Sequence, residues 1–323
     1  MVNRNTSKKV DIMERMNRKG IFFTLIVIAA ISLFLISYTF YRNYSDRSTT
    51  HDRISSLNTF IFSIEENLER QIFISGFRSL FIMQIESVEN GLYIQNVNNS
   101  LNELFFNGTY NSLEQPIMVG ATFEDIQQDI QQKANKVNAY ITLSNPSIYL
   151  TQSDPWHVDV ILTVSINAQD QGNLVTWNKT QTYASKISIK DFEDPIYLLN
   201  TGGVITNKIE KTPFSSFSNG ASVSNLINHT SNRYYKSNTQ APSYLNRLQG
   251  SNAASEFGIE SLVYIPQLSN QGIIIQDKSI VDYIYFSSSF PISCRITGTP
   301  NWFKIDQSHL ADYNLTGLET NCA

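Results

Sequence analysis

Cysteine is almost missing from this 323-residue chain: there are two, Cys294 and Cys322. A fold held up by disulfides is therefore excluded, and a four-ligand zinc site has no support, since only His309 stands between the pair. Charge is scarce as well. Asp, Glu, Lys and Arg make up 16% of the residues with a formal balance of −4, so there is no basic footprint for nucleic acid. The spaced motifs that carry chemistry are absent: no Gly-x-Ser-x-Gly elbow, no His-Glu-x-x-His, no phosphate-cradling glycine loop and no Cys-x-x-Cys. No cofactor is implied. There is no fixed-period repeat and no low-complexity tract. Long apolar runs are absent too, with one exception.

That exception is Ile21–Tyr41, about twenty residues without a charge. A helix of that length covers a hydrocarbon core of roughly 30 Å. Before it stand Arg4, Lys8, Lys9, Arg15, Arg18 and Lys19 against Asp11 and Glu14; after it come only Arg42, Arg47 and Arg53, with Asp46 and Asp52 among them. This asymmetry predicts a cytoplasmic N-terminus and an extracellular C-terminal domain. The run is longer than the core of a cleaved secretory signal, and Ser37-Tyr38-Thr39 is a poor cleavage site, so a retained signal-anchor in the bilayer is expected. The division that follows is a basic cytoplasmic tail or leader (1–20), a span (21–41), a helical stalk with the helix-rich part of the external domain (42–143), and a β-rich external part (144–323).

Arg18-Lys19-Gly20 stands directly before Ile21-Phe22-Phe23-Thr24-Leu25. A basic pair, a glycine and an unbroken apolar helix resemble the start of a type IV prepilin, particularly the archaeal class III kind. The resemblance implies cleavage between Gly20 and Ile21, with Lys19 in the recognised leader. It also implies that the apolar helix is kept as the mature N-terminus and contacts other pilin-like subunits. It covers about ten residues and departs from the family where many members carry Glu, at the fifth mature position, here Leu25. An ordinary signal-anchor with Lys-Gly in its flank reads the same.

Beyond the span, Ile54, Leu57, Ile61, Ile64, Leu68 and Ile72 recur at helical spacing, and Phe77, Leu80, Phe81, Ile85 and Val88 continue the stripe past Gly76. No proline separates this segment from the span, so one long helix is predicted. Its alternative is a coiled-coil stalk, since 54-57-61-64-68 is also a short heptad run. A short helix is expected around Leu101–Phe106. Thr122, with Asp125 three residues on, caps a further helix reaching about Leu143, where Asn145-Pro146 ends it. Val158, Val160, Leu162, Val164 and Ile166 alternate, Asp170–Asn173 turns, and Leu174–Ile189 returns as the partner of an antiparallel hairpin. Short helices are read at Val223–Tyr235 and Tyr244–Leu248. Further β-rich runs are read at Ile259–Ile265 and at Gly272–Phe286, the latter with Val281, Tyr283 and Tyr285 on one face. The fold class is α+β: a long N-terminal transmembrane helix continuing into a mixed extracellular domain with antiparallel sheet.

Candidate chemistry is thin. His51 reads as solvated and His229 lies in a polar region. His157 follows Asp154 and precedes Asp159, and His309 follows Asp306 by one helical turn. A metal or acid–base group from Asp306, His309, His157 and Asp159 competes with turn and capping roles that need no chemistry. Glu193-Asp194-Pro195, Asp277 and Asp282 read as turn carboxylates. Cys294 and Cys322 would close a loop in an oxidising compartment and be separate small apolar residues in a reducing one. Acceptor triplets for glycosylation stand at Asn43, Asn98, Asn107, Asn178, Asn228 and Asn314.

The stretches Asp194–Tyr197, Gly258–Leu262, Val281–Tyr285 and Trp302–Asp306 resemble parts of archaeal membrane-anchored proteins without an assigned activity. The expectation is a single-pass, non-enzymatic cell-surface structural protein, pilin-like or filament-associated, acting by subunit contact and display. The alternative is a non-polymerising anchored domain that binds a ligand, partner or glycan. An ectoenzyme ranks third, and loss of an activity on changing His157 or His309 would single it out.

Overall fold

A computed structural model describes residues 4–173 and 175–323, without the side chains of 4–19, 21 and 45–50. The start of the basic tail (1–3), Leu174 at the head of the predicted return strand, and the side chains of Lys19 and Ile21 lie outside the described residues.

The chain opens with one helix, α1, Arg4–Asn90, 87 residues long. At 1.5 Å per residue it measures about 130 Å. Its stretch Phe22–Tyr44 has a mean hydropathy of 2.3 and none of it is buried against the rest of the chain. Among the described residues this is the one helix long and apolar enough to cross a membrane. The far half behaves differently. Leu57, Ile61, Ile64, Leu68 and Ile72 are all buried, so from Leu57 on the spacing read from the sequence faces a core and not a coiled-coil partner; Ile54, the first of the stripe, is exposed.

Past Gly76 the predicted stripe holds only at Leu80. Phe77, Phe81 and Val88 are exposed and Ile85 is half-buried, and the other buried positions beyond Gly76 are Ser79, Ile82, Met83 and Ser87. The cause is a close approach. A Cβ on Gly76 would lie 2.4 Å from Val160 Cγ2 and 2.9 Å from Ile187 Cδ1. Small serines flank that contact and keep their hydroxyls bonded internally, Ser75 to the Ala121 carbonyl at 2.6 Å and Ser79 to the Ser75 carbonyl at 2.8 Å. The displaced rings of Phe73, Phe77 and Phe81 stack along the outside at 6.4 Å spacing.

Next come α2, Val97–Asn107, the hairpin β1, Thr109–Tyr110, with β2, Leu113–Glu114, and α3, Phe123–Asn135. The capping box of Thr122 and Asp125 forms with both bonds. The helix predicted to reach Leu143 stops at Asn135. Ala139, Ile141 and Leu143 alternate with period two and open a strand, β3, Ala139–Asp154. Asn145-Pro146 is a bulge inside it, with Asn145 at φ +51° and the register shifting between Ser144 and Ser147.

β3, β4 (His157–Asp170) and β5 (Thr176–Ser188) form an antiparallel sheet in that order. Val158, Val160, Leu162, Val164, Ile166 and Ala168 point at α1 and are fully buried. The opposite face is hydroxyl-rich, with Thr163 paired to Thr182 and Ser165 to Thr180. Side chains close the β3 edge: Asn98 accepts from Leu150 N–H, Asn102 donates to the Ile148 carbonyl, and Gln131 accepts from Ile141 N–H.

The remainder is built of short pieces: α4 (Pro195–Asn200), α5 (Ser224–Ser231), β6 (Tyr235–Ser237), α6 (Tyr244–Leu248), β7 (Ile259–Ser261), α7 (Ile265–Asn270), α8 (Asp282–Tyr285), β8 (Ser293–Ile296), β9 (Lys304–Asp306) and β10 (Glu319–Thr320). It has a second apolar core around Tyr197, Leu226, Leu262, Val281 and Phe303. Only three residues of Ile259–Ile265 pair as a strand, and Gly272–Phe286 contains no strand. Its β-branched and aromatic residues line a loop and the helical turn α8, so Val281, Tyr283 and Tyr285 do not share a strand face. Cys294 and Cys322 are joined, and Ser293 and Ala323 exchange both backbone bonds beside them.

Gly76→Ala tests the close approach. Alanine favours a helix by up to about 1 kcal/mol over glycine, yet overpacking of this kind costs about 1–3 kcal/mol. Denaturant unfolding is expected to show net destabilisation, relieved when Val160→Ala is added.

Candidate functional site

The chemistry-bearing side chains converge around two buried cations, one of them where α6 joins the first core. Arg247 is carried by α6, whose Ser243 cap fixes the first turn. The guanidinium is fully buried and reaches Asp194 at 2.6 Å, Asp282 at 3.0 Å and the Ile259 carbonyl, with the Tyr235 ring 5.7 Å away. Asp194 is placed by capping α4 through Ile196 N–H and also accepts from the Tyr235 hydroxyl. Asp282 starts α8 and accepts from Ser261 through both N–H and Oγ. Burial pushes the Asp194 carboxyl up against the pull of Arg247, and the neighbouring Asp282 charge adds to the rise. Burial works against the charge on Arg247 as well, but the two carboxylates hold it more firmly protonated than usual.

The second cation is His309. Asp306, predicted to share a face with His309, ends β9, and His309 closes the 3-10 turn Gln307–His309 that follows, with its Nδ1 2.6 Å from Asp306 Oδ2. Nε2 lies 3.2 Å from Glu260 Oε2 on β7 and 3.1 Å from the Tyr283 hydroxyl. Burial alone would lower this imidazole, but bonds to Asp306 and Glu260 overcome it and raise the pKa to about 10. The ring is an imidazolium clamped between two carboxylates.

Glu260, His309 and Asp312 bring three potential ligand atoms within 4.8 Å of one another. The donors around them do not suit a metal. Asn238 Nδ2 donates to Glu260 Oε2 and Asp312 Oδ2, both at 2.9 Å, and its own Oδ1 is fixed by Gln240 N–H. Lys236 Nζ stands 4.0 Å from Glu260 Oε1, and a metal would have to displace the proton on His309. The group fits internal charge balance.

His157 does not join it. Its Nδ1 pairs with Asp154 Oδ1 at 2.8 Å in the β3–β4 turn, and Lys186 takes the other oxygen at 3.2 Å. Asp159 is buried separately on β4. His51 is exposed, as read. His229, from the polar stretch of sequence, is fully buried among the rings of Phe217, Tyr234 and Tyr313, with Nδ1 3.1 Å from Thr212 Oγ1, and burial drives its pKa down to about 3. Tyr183 and Tyr313 likewise carry buried hydroxyls.

Gly20 lies exposed within α1. Of the acceptor asparagines, Asn43 falls inside the apolar stretch, and Asn98 is committed to the β3 edge. Asn107, Asn178, Asn228 and Asn314 are exposed. Arg247 had no local signal in the sequence, because its partners lie 53 and 35 residues away.

Two outcomes follow from these charges. Arg247→Met leaves Asp194 and Asp282 buried without a counter-ion and should cost about 3–5 kcal/mol in chemical unfolding. The histidines set a stability maximum near pH 6.5. His309, raised in the fold, contributes fully below that and loses its contribution as pH climbs towards 10; His229, depressed, contributes fully above it and loses its contribution as pH falls towards 3. Each limb slopes by at most about 1.4 kcal/mol per pH unit. In unfolding midpoints measured across pH, His309→Gln should flatten the alkaline limb and spare the acid one.

No family model, no curated protein and no solved structure matches the chain.

Proposed function

We propose that this chain is a single-pass, membrane-anchored cell-surface protein of pilin-like design, non-enzymatic, with its C-terminal domain outside the cell. The observation that carries the reading is the continuity of α1. One unbroken helix presents an unburied apolar half at Phe22–Tyr44 and a second half seated on an antiparallel sheet. Such a helix serves as anchor before assembly and as the subunit-contact element after it. Two further features support it. The basic residues precede the apolar stretch, which favours an inside N-terminus. The Cys294–Cys322 disulfide and the exposed acceptor asparagines suit an oxidising, external setting. The buried charges around Arg247 and His309 then hold the displayed domain together and perform no reaction.

The intact mass and first residue of the protein from native membranes test the proposal. A chain beginning at Ile21, with filaments recovered on shearing cells, is the expected result. A chain beginning at Met1 or Val2 would remove the pilin reading and leave an anchored binding domain.

A further inference from the structure

A groove of about 490 Å³ opens where α1 ends and α2 begins. That volume falls within the usual range for small-ligand sites, but the lining is unlike most of them, being largely polar. Amides dominate, including Asn90, Gln95, Asn96 and Asn99, and the only charged side chains are Glu86 and Glu103. With no Lys, Arg or His in the wall, an anionic ligand would meet two carboxylates and no counter-charge.

Several of these groups are held in place by neighbours. Glu86 accepts from Gln115 at 3.2 Å and from Asn90 at 3.0 Å. Glu103 Oε1 accepts from Thr109 Oγ1 and from Ser112 N–H, which ties it to the β1–β2 hairpin whose turn presents Asn111. Asn96 Oδ1 caps α2 by accepting from the N–H groups of Asn98 and Asn99. That bond leaves the exposed Asn99 side chain unused by the helix cap. Two aromatic rings complete the wall. Tyr93 packs against Gly250, where a Cβ would come within 2.6 Å of the ring, and its hydroxyl accepts from Asn200. The Tyr110 hydroxyl is raised by burial and by the nearby charges of Glu86 and Glu103. Of the apolar groups in the wall, Leu92 is the exposed one.

We infer that this groove binds a neutral saccharide unit. Paired amides and carboxylates offer donors and acceptors to adjacent hydroxyls, and charge-assisted bonds from hydroxyl to carboxylate are the stronger kind. The exposed Leu92 receives the C–H side of the sugar. Groups held by their neighbours lose little freedom on binding, so the cost of ordering the site is low. A site of this type discriminates by hydroxyl pattern, since a ligand lacking the matching hydroxyl leaves polar groups unpaired. Binding here does not depend on how the chain is processed or assembled.

The test uses the full chain in nanodiscs on an array of neutral oligosaccharides built from hexoses and N-acetylhexosamines, followed by calorimetric titration of whichever is retained. Asn99→Ala and Glu103→Gln should each weaken that affinity at least tenfold, Asn99→Ala with no change in the thermal midpoint. Three results would overturn the inference: an array that retains nothing, affinity that survives both substitutions, or retention confined to acidic glycans.

Discussion

The contact between Gly76 and the face of β4 sets the rest of the architecture. A helix lies this close to a sheet only where it presents no side chain, and the 2.4 Å approach to Val160 leaves no room for one. Everything near it follows from that spacing. Serines replace larger residues on either side, the phenylalanines rotate outward, and β4 supplies an unbroken run of Val, Leu and Ile to fill the seam. The same helix carries the apolar stretch that suits a bilayer, so that stretch and this contact lie on one element.

The part of the chain beyond β5 obeys a different constraint. It is assembled from helices of four to eight residues and strands of two to four, none of which is stable alone. Arg247 and His309 supply the missing long-range order. Each cation links segments far apart in sequence: α6 to α4 and α8 in one case, β7 to the end of β9 in the other. Such buried pairs add little net stability compared with an apolar core, but they penalise any arrangement that separates the partners. They act on which fold forms more than on how tightly it holds.

How much of this could be read from residues alone depended on whether a pattern was local. The stripe from Leu57 to Ile72 was legible because helical periodicity is local, and so was the capping box at Thr122. The stripe beyond Gly76 was not, since the buried face there is chosen by a strand 84 residues later at Val160. Ile141 and Leu143 fit helical spacing and strand alternation equally, and the sheet decided between them. The β-branched and aromatic content of Gly272–Phe286 imitates a strand, although those side chains serve a loop packed on the second core. Of the site, the Asp306–His309 pair was visible three residues apart, whereas Arg247 looked like an ordinary residue on a short helix.

The treatment of the two sheet edges has a consequence of its own. Along β3, amides from α2 and α3 occupy outward backbone groups, so no further strand can add there without dislodging them. Along β5, no strand among the described residues takes the corresponding positions over thirteen residues. The sheet is thus polar in the sense of growth: one margin is sealed by its own chain and the other stays open to an incoming strand. Any lengthening of this sheet, by a neighbour or by an error of folding, has a single direction in which to proceed.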